Sequence, residues 1–181
     1  SVEKILRDVE DTSRRTIEEL KRSLEESKKT VTKLLEENKD LLRRIKEDVR
    51  RRLEEIKRDK PEMKEVVERV ERLLKEVEDS ADRTTKEIKR LLEELEKVYR
   101  EVLETDKKLL DEVRKVAEES TSEEAVERLK ELAEEVKRVS KELLEELRKI
   151  SEEIERRIRR LIEENKELAD RVREEIERLK K

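Results

Sequence analysis

Not one residue of this chain is glycine, and its single proline is Pro61. Positive φ comes readily only to glycine, and proline is the strongest helix breaker. Such a chain has few ways to turn and almost nothing to interrupt a helix. Phosphate-cradling loops of the G-x-x-x-x-G-K-S/T and G-x-G-x-x-G kinds are excluded outright. The alphabet is narrow elsewhere too: histidine, cysteine, phenylalanine, tryptophan and glutamine are missing, while Asp, Glu, Lys and Arg make up 57%.

High charge with low hydrophobicity ordinarily marks disorder. Here a regular apolar repeat, in a composition rich in Ala, Glu, Lys, Leu and Arg, marks long helices instead. Both charge signs are interspersed and sum to −4, so no strong field draws the chain to nucleic acid or to an anionic membrane. No apolar run nears the ~20 residues that span a bilayer, and nothing reads as a signal peptide. Without cysteine the redox compartment leaves no trace. The first residue is Ser1, not Met, as in a chain trimmed from an expression tag. The expectation is a soluble, all-α protein.

Two places break the helical pattern. Around Arg58-Asp59-Lys60-Pro61-Glu62, Asp59 is placed to cap the next helix, with Glu62 three residues on to close a capping box. Pro61 then falls in the first turn, where its missing N–H costs nothing. The second break, Glu119-Ser120-Thr121-Ser122-Glu123-Glu124, sets hydroxyl caps ahead of acidic residues that suit a helix N-terminus. Three helices are predicted, roughly 2–57, 61–118 and 123–180, each on the order of 85 Å long at 1.5 Å per residue. Short loops make neighbours antiparallel, which gives one elongated up-down-up three-helix domain over 1–181, nearly straight or with slight left-handed coiling.

The apolar positions set the packing. In the second helix Met63, Val67, Val70, Leu74, Val77, Ala81, Thr84, Ile88, Leu91, Leu95, Val98, Val102, Thr105 and Leu109 step by four and three, as a heptad seam does. The first and third helices instead repeat every 18 residues, and that period of 3.6 imposes little supercoil. Leu34-Leu35-Glu36-Glu37-Asn38-Lys39 returns as Leu161-Ile162-Glu163-Glu164-Asn165-Lys166, an offset of 127 at which Ser13 also matches Ser140. Two parallel helices with the same inward residues at the same height read this way.

Polar residues interrupt the apolar stripe at matched heights. Folding the second helix back pairs position i with about 119 − i. Ser80, Thr84 and Thr85 then meet Asn38 and Asn165, Thr105 meets Ser13 and Ser140, and Ser27, Thr30 and Ser151 form a further layer. An unsatisfied buried polar group costs about 1–3 kcal/mol, so only the correct register and helix order satisfies such layers together, as a lone core asparagine fixes coiled-coil pairing. Serine and threonine are also unexceptional on helix surfaces, so chance coincidence is the competing account.

Other chemistry is sparse. Bundle metal sites ordinarily need Glu-x-x-His, and there is no histidine. The acidic pairs read as solvated partners of Lys and Arg. Serine without histidine or a supporting loop offers no activated nucleophile. The basic clusters Arg50-Arg51-Arg52 and Arg156-Arg157-Ile158-Arg159-Arg160 are flanked by acids and lack stacking aromatics, so they read as solvated faces. Tyr99, the only aromatic, is expected at the seam edge with its hydroxyl toward water. No catalytic, cofactor or metal residues, no small-molecule substrate, no nucleic acid and no membrane partner are expected.

Runs such as Arg-Leu-Leu-Glu-Glu-Leu-Glu-Lys (90–97) and Glu-Glu-Ile-Glu-Arg-Leu-Lys-Lys (174–181), with equal helix lengths and plain loops, resemble de novo designed helical bundles. That resemblance implies an aliphatic core with buried hydrogen-bond networks for specificity. The chain departs from the pattern in lacking glycine at helix C-termini. The functional expectation is a structural scaffold or assembly component with no catalytic activity. The alternative is an interaction module that self-associates or binds a cognate helix. Roughly 2.7 inward-type residues per heptad lie between the two of a closed seam and the three of a broader face. Doubled pairs such as Leu34-Leu35, Leu41-Leu42, Leu91-Leu92, Leu109-Leu110 and Leu161-Ile162 could widen one core or present a second seam.

Overall fold

The computed structural model describes residues 1–179. It is an all-α three-helix bundle: α1 Val2–Asp59, a 3-10 turn Pro61–Met63, α2 Lys64–Glu119 and α3 Glu123–Arg178, with no strand among the described residues. The residue before a proline is forced out of the α region, and Lys60, at φ −136° and ψ 65°, leaves α1 there. The predicted capping box does not form. Asp59 is the last residue of α1, and no side chain caps the Pro61 turn. Backbone bonds serve instead, from Lys60 N to Ile56 O (2.8 Å) and from Met63 N to Lys60 O (3.0 Å). The second break behaves as expected: Ser122 Oγ accepts from Ala125 N at 3.2 Å. Neither turn uses a positive φ, so both close without glycine.

The chain packs as two compact units, each holding a segment of all three helices. One comprises Ser1–Lys28 and Leu92–Ile154; the other comprises Lys29–Leu91 and the chain from Glu155 onward. In the first unit Val9, Val113, Ala117, Leu129, Ala133 and Val136 form one cluster, and Leu20, Leu95, Tyr99 and Leu147 form another. The second unit packs Ile45, Val49, Leu53 and Ile56 against Val67, Val70, Leu74 and Val77 and against Ala169, Val172 and Ile176. Each fully buried Leu, Ile or Val stabilises by about 1.5–3 kcal/mol relative to exposure. These aliphatic clusters therefore supply the main drive to fold.

The buried positions step by 18. In α1 the series are Val9–Ser27–Ile45, Ser13–Val31–Val49 and Leu20–Asn38–Ile56. In α2 they are Val70–Ile88–Asp106 and Val77–Leu95–Val113. In α3 they are Leu129–Leu147–Asn165, Ala133–Ser151–Ala169 and Ser140–Ile158–Ile176. Eighteen residues make five turns at 3.6 per turn, so every third of these helices presents the same face. The heptad seam expected of α2 holds only as far as Leu95. Beyond it, Val98, Val102 and Leu109 are half-buried and Thr105 is exposed, while Tyr99, Asp106, Val113 and Ala117 are buried. A strict seven-residue step drifts ~20° per heptad from a straight helix, and over several heptads the drift moves the stripe off the core.

Ion pairs on the flanks obey the same period. Glu10–Arg114 (3.0 Å) and Lys28–Glu96 (2.7 Å) join α1 to α2 in the first unit, and Lys46–Glu78 (3.0 Å) does so in the second. In each pair the α1 residue lies 18 beyond the last and the α2 residue 18 before it, as antiparallel neighbours require. Between α2 and α3 the second unit pairs Arg69 with Glu175 (2.6 Å) and Glu87 with Arg157 (3.3 Å), again 18 apart and with signs exchanged. Parallel helices α1 and α3 are tied by Asp8–Lys137 and Glu19–Arg148. Exposed pairs contribute at most about 1 kcal/mol each. Their alternation of sign discriminates between registers more than it stabilises one.

Candidate functional site

The polar residues inside the aliphatic stripe are the chemically distinctive feature of the core, and three hydrogen-bonded sets involve them. In the first unit Asp106, 2% exposed, accepts from Ser13 Oγ at 2.6 Å and from Ser140 Oγ at 2.7 Å, one hydroxyl on each carboxylate oxygen. One residue from each helix meets at this level. Ser13 and Ser140 thus come together as their offset predicted, but the α2 member is not Thr105. That residue points outward and donates to its own Glu101 O at 2.9 Å. The correction is one position, and it replaces a neutral hydroxyl with a buried carboxylate. Asp106 was legible in the 18-residue step from Val70 through Ile88, whereas counting in sevens led to Thr105.

The second set joins Ser27 and Ser151, both 6% exposed, through a 2.9 Å hydroxyl–hydroxyl bond. Thr30, expected in this layer, is half-buried and takes no part in that bond. Near the same level Tyr99 is 1% exposed and donates its hydroxyl to Ser23 Oγ at 2.8 Å. Its hydroxyl does not face open water, as the seam-edge placement implied. Tyr99 lies 18 residues after Ala81, on a face that is covered, and a buried phenol needs a partner.

The third set is in the second unit. Ser80 Oγ donates to Asn165 Oδ1 at 2.7 Å. Asn38 and Asn165 are buried at 5% and 2% exposure, and Thr84 at 6%. Thr85 is not part of the hydrogen-bonded layer; its hydroxyl bonds back to Ala81 O at 3.0 Å. Asn38 Oδ1 and Asn165 Nδ2 are buried with no hydrogen-bond partner among the described residues. One is an acceptor and the other a donor.

No family model, curated protein or solved structure matches the chain. What can be said of the site therefore comes from its chemistry. Among the described residues no group of three or more His, Cys, Asp or Glu is arranged to hold a metal ion, and no helix is long and apolar enough to cross a membrane. The basic clusters are largely exposed and engage carboxylates: Arg50 pairs with Glu78, Arg51 with Asp48, Arg52 with Asp48 and Glu177, and Arg157 with Glu87. No large hydrophobic side chain is exposed among the described residues. The doubled pairs Leu34-Leu35, Leu41-Leu42, Leu109-Leu110 and Leu161-Ile162 are all half-buried, and Leu91 is buried beside half-buried Leu92. These pairs widen the contact between neighbouring helices and leave no bare stripe.

Proposed function

We propose that the chain is a designed structural scaffold or assembly component without catalytic activity, in which buried polar layers specify helix order and register. The observation that carries this reading is the Ser13–Asp106–Ser140 set, where a carboxylate on α2 takes one hydroxyl from each of its neighbours. A shift of any helix by one residue would leave an uncompensated buried acceptor, which costs more than the apolar contacts lose. Glycine-free turns, near-equal helices and an 18-residue repeat held across all three support a designed origin. Half-burial of every doubled apolar pair favours a chain that closes its own core over one that awaits a partner helix.

Sedimentation velocity at tens of micromolar tests both parts of the reading. The native chain is expected as a single species with the mass of one chain. A variant with apolar residues at Ser13, Ser140, Asp106, Ser27, Ser151, Asn38, Asn165 and Ser80 is expected to be at least as stable but to spread over several association states. A dimer of the native chain would overturn the self-contained bundle. A variant that remains one sharp monomeric species would overturn the specificity role.

A further inference from the structure

The two unpartnered amide atoms of the second unit fit one another. The Ser13–Asp106–Ser140 layer and the Asn38–Ser80–Asn165 layer are built to one plan. Both hold an α1 and an α3 residue at an offset of 127, with an α2 residue between them. Moving from the first layer to the second advances α1 and α3 by 25 residues, close to seven turns, so both layers use the same faces. In the first layer the 127-offset serines approach closely enough to share one carboxylate. At Ser27 and Ser151 two side chains with a single heavy atom beyond Cβ already bridge α1 and α3 directly, at 2.9 Å. An asparagine carries its amide oxygen and nitrogen one bond further out than a serine hydroxyl. Two asparagines at matched height therefore have the reach to meet.

The hydrogen-bond senses agree as well. Ser80 occupies Asn165 Oδ1 at 2.7 Å, which orients that amide and turns Nδ2 into the available donor. Asn38 offers Oδ1 as the available acceptor, and both atoms are shut off from solvent. A buried donor and a buried acceptor left apart each carry a desolvation penalty that one shared bond removes. Aliphatic neighbours such as Leu41, Leu42 and Leu168, half-buried against the adjoining core, supply no competing hydrogen-bonding group.

We propose that Asn165 Nδ2 donates to Asn38 Oδ1, closing a relay in which Ser80 donates to Asn165 and Asn165 donates to Asn38. The relay crosses all three helices and makes Asn38 the residue by which α1 is matched to α3 in this unit. It stands on the geometry of the layer and does not depend on the proposed function.

The test is side-chain amide NMR on the full chain labelled with nitrogen-15 and carbon-13. The expected result is a through-hydrogen-bond scalar coupling from Asn165 Nδ2 to Asn38 Cγ, with the Asn165 side-chain protons exchanging far more slowly than those of an exposed amide. Asn38→Leu abolishes the coupling and lowers that protection by about tenfold or more, the size of one net hydrogen bond. Asn38→Asp keeps an acceptor at the same place and retains the protection. Protection without any coupling would mean that the amides are separated by another group, and would overturn the direct bond. A coupling that runs from Asn38 Nδ2 to Asn165 Cγ would overturn the order of the relay. An Asn165 amide whose shift and exchange are the same in the native chain and in Asn38→Leu, with the helical spectrum intact, would sink the proposal altogether.

Discussion

Deleting the hydroxyls that reach Asp106 measures what one buried acceptor is worth to this bundle. Ser13, Ser140 and Asp106 are each 5% exposed or less, and each serine holds one carboxylate oxygen. A hydrogen bond to a charged group contributes about 1.5–3 kcal/mol net, so Ser13→Ala or Ser140→Ala alone is expected to cost about that much. The double substitution leaves the carboxylate buried with neither hydroxyl, and stripping partners from a buried charge costs roughly 3–5 kcal/mol. Asp106→Asn keeps an acceptor for one serine and offers an N–H to the other, so its loss should stay under about 1.5 kcal/mol. Replacing all three, as Ser13→Ala, Asp106→Leu and Ser140→Ala, removes the need for polar partners and should be neutral or stabilising. Denaturant unfolding at neutral pH provides the readout, with far-ultraviolet dichroism for the chain and Tyr99 fluorescence for the unit in which it is buried. Slopes are compared, so that a change in midpoint is read as stability only where the slope is constant. If the double alanine variant loses less than about 1 kcal/mol at constant slope, the two hydroxyls do not hold Asp106 in place. If the triple variant is the least stable of the set, the layer is a source of stability and not of specificity.

Two further outcomes follow from the surface and from Tyr99. The Lys137 ammonium hydrogen-bonded to Asp8 holds that carboxyl below its ordinary value; Arg90 does the same for Glu87 and Lys28 for Glu96. These contributions are present above the unfolded carboxyl range near 4 and fade as pH falls through the lowered folded values. Lys57 beside Glu71 and Lys137 beside Asp8 are raised, so their share is complete below the ordinary lysine value and lost as pH climbs through the raised one. Melting temperature should therefore be flat across the middle of the pH scale and decline gently at both ends. Molar salt should flatten the ends, because exposed pairs are screened; an unchanged profile in high salt would exclude these ion pairs as the cause. Tyr99→Phe removes the bond to Ser23 while keeping the ring, and should cost about 0.5–1.5 kcal/mol in the same unfolding assay. A neutral result would show that the Tyr99 hydroxyl is satisfied as well by solvent.

The helices and most of the core were legible because their cause is local. Pro61 and the Ser120–Ser122 hydroxyls end and start helices by their own chemistry, and the apolar step needs no knowledge of the fold. The matched pairs Ser13/Ser140 and Ser27/Ser151 were legible for a related reason: parallel helices at one height show it as a constant offset. Asp106 was harder to see. In a chain that is 57% charged, an aspartate carries no signal by its type, and only its place in the series Val70–Ile88–Asp106 marks it as inward. Thr30 and Thr85 show the opposite error. A hydroxyl one position off the buried face bonds to its own helix or stays at the flank, so composition at a given height overstates the layer. Tyr99 was misplaced with Thr105, because both were located by counting in sevens.

The five-turn period gives this chain a quantum of length. A residue and the one 18 positions later face the same direction with no rotation to absorb, so a block of 18 is the smallest piece that can be added or removed while every inward position stays inward. A block of seven would turn all that follows by about 20°, and the error would grow with each block. To preserve pairing, the same block must enter all three helices at one height, and the flank charges, which exchange sign from rung to rung, must continue in step. A family of such chains would differ by about 27 Å per block, five turns of helix. The polar layers would serve as graduation marks along it, each telling a helix how far along its neighbour it stands.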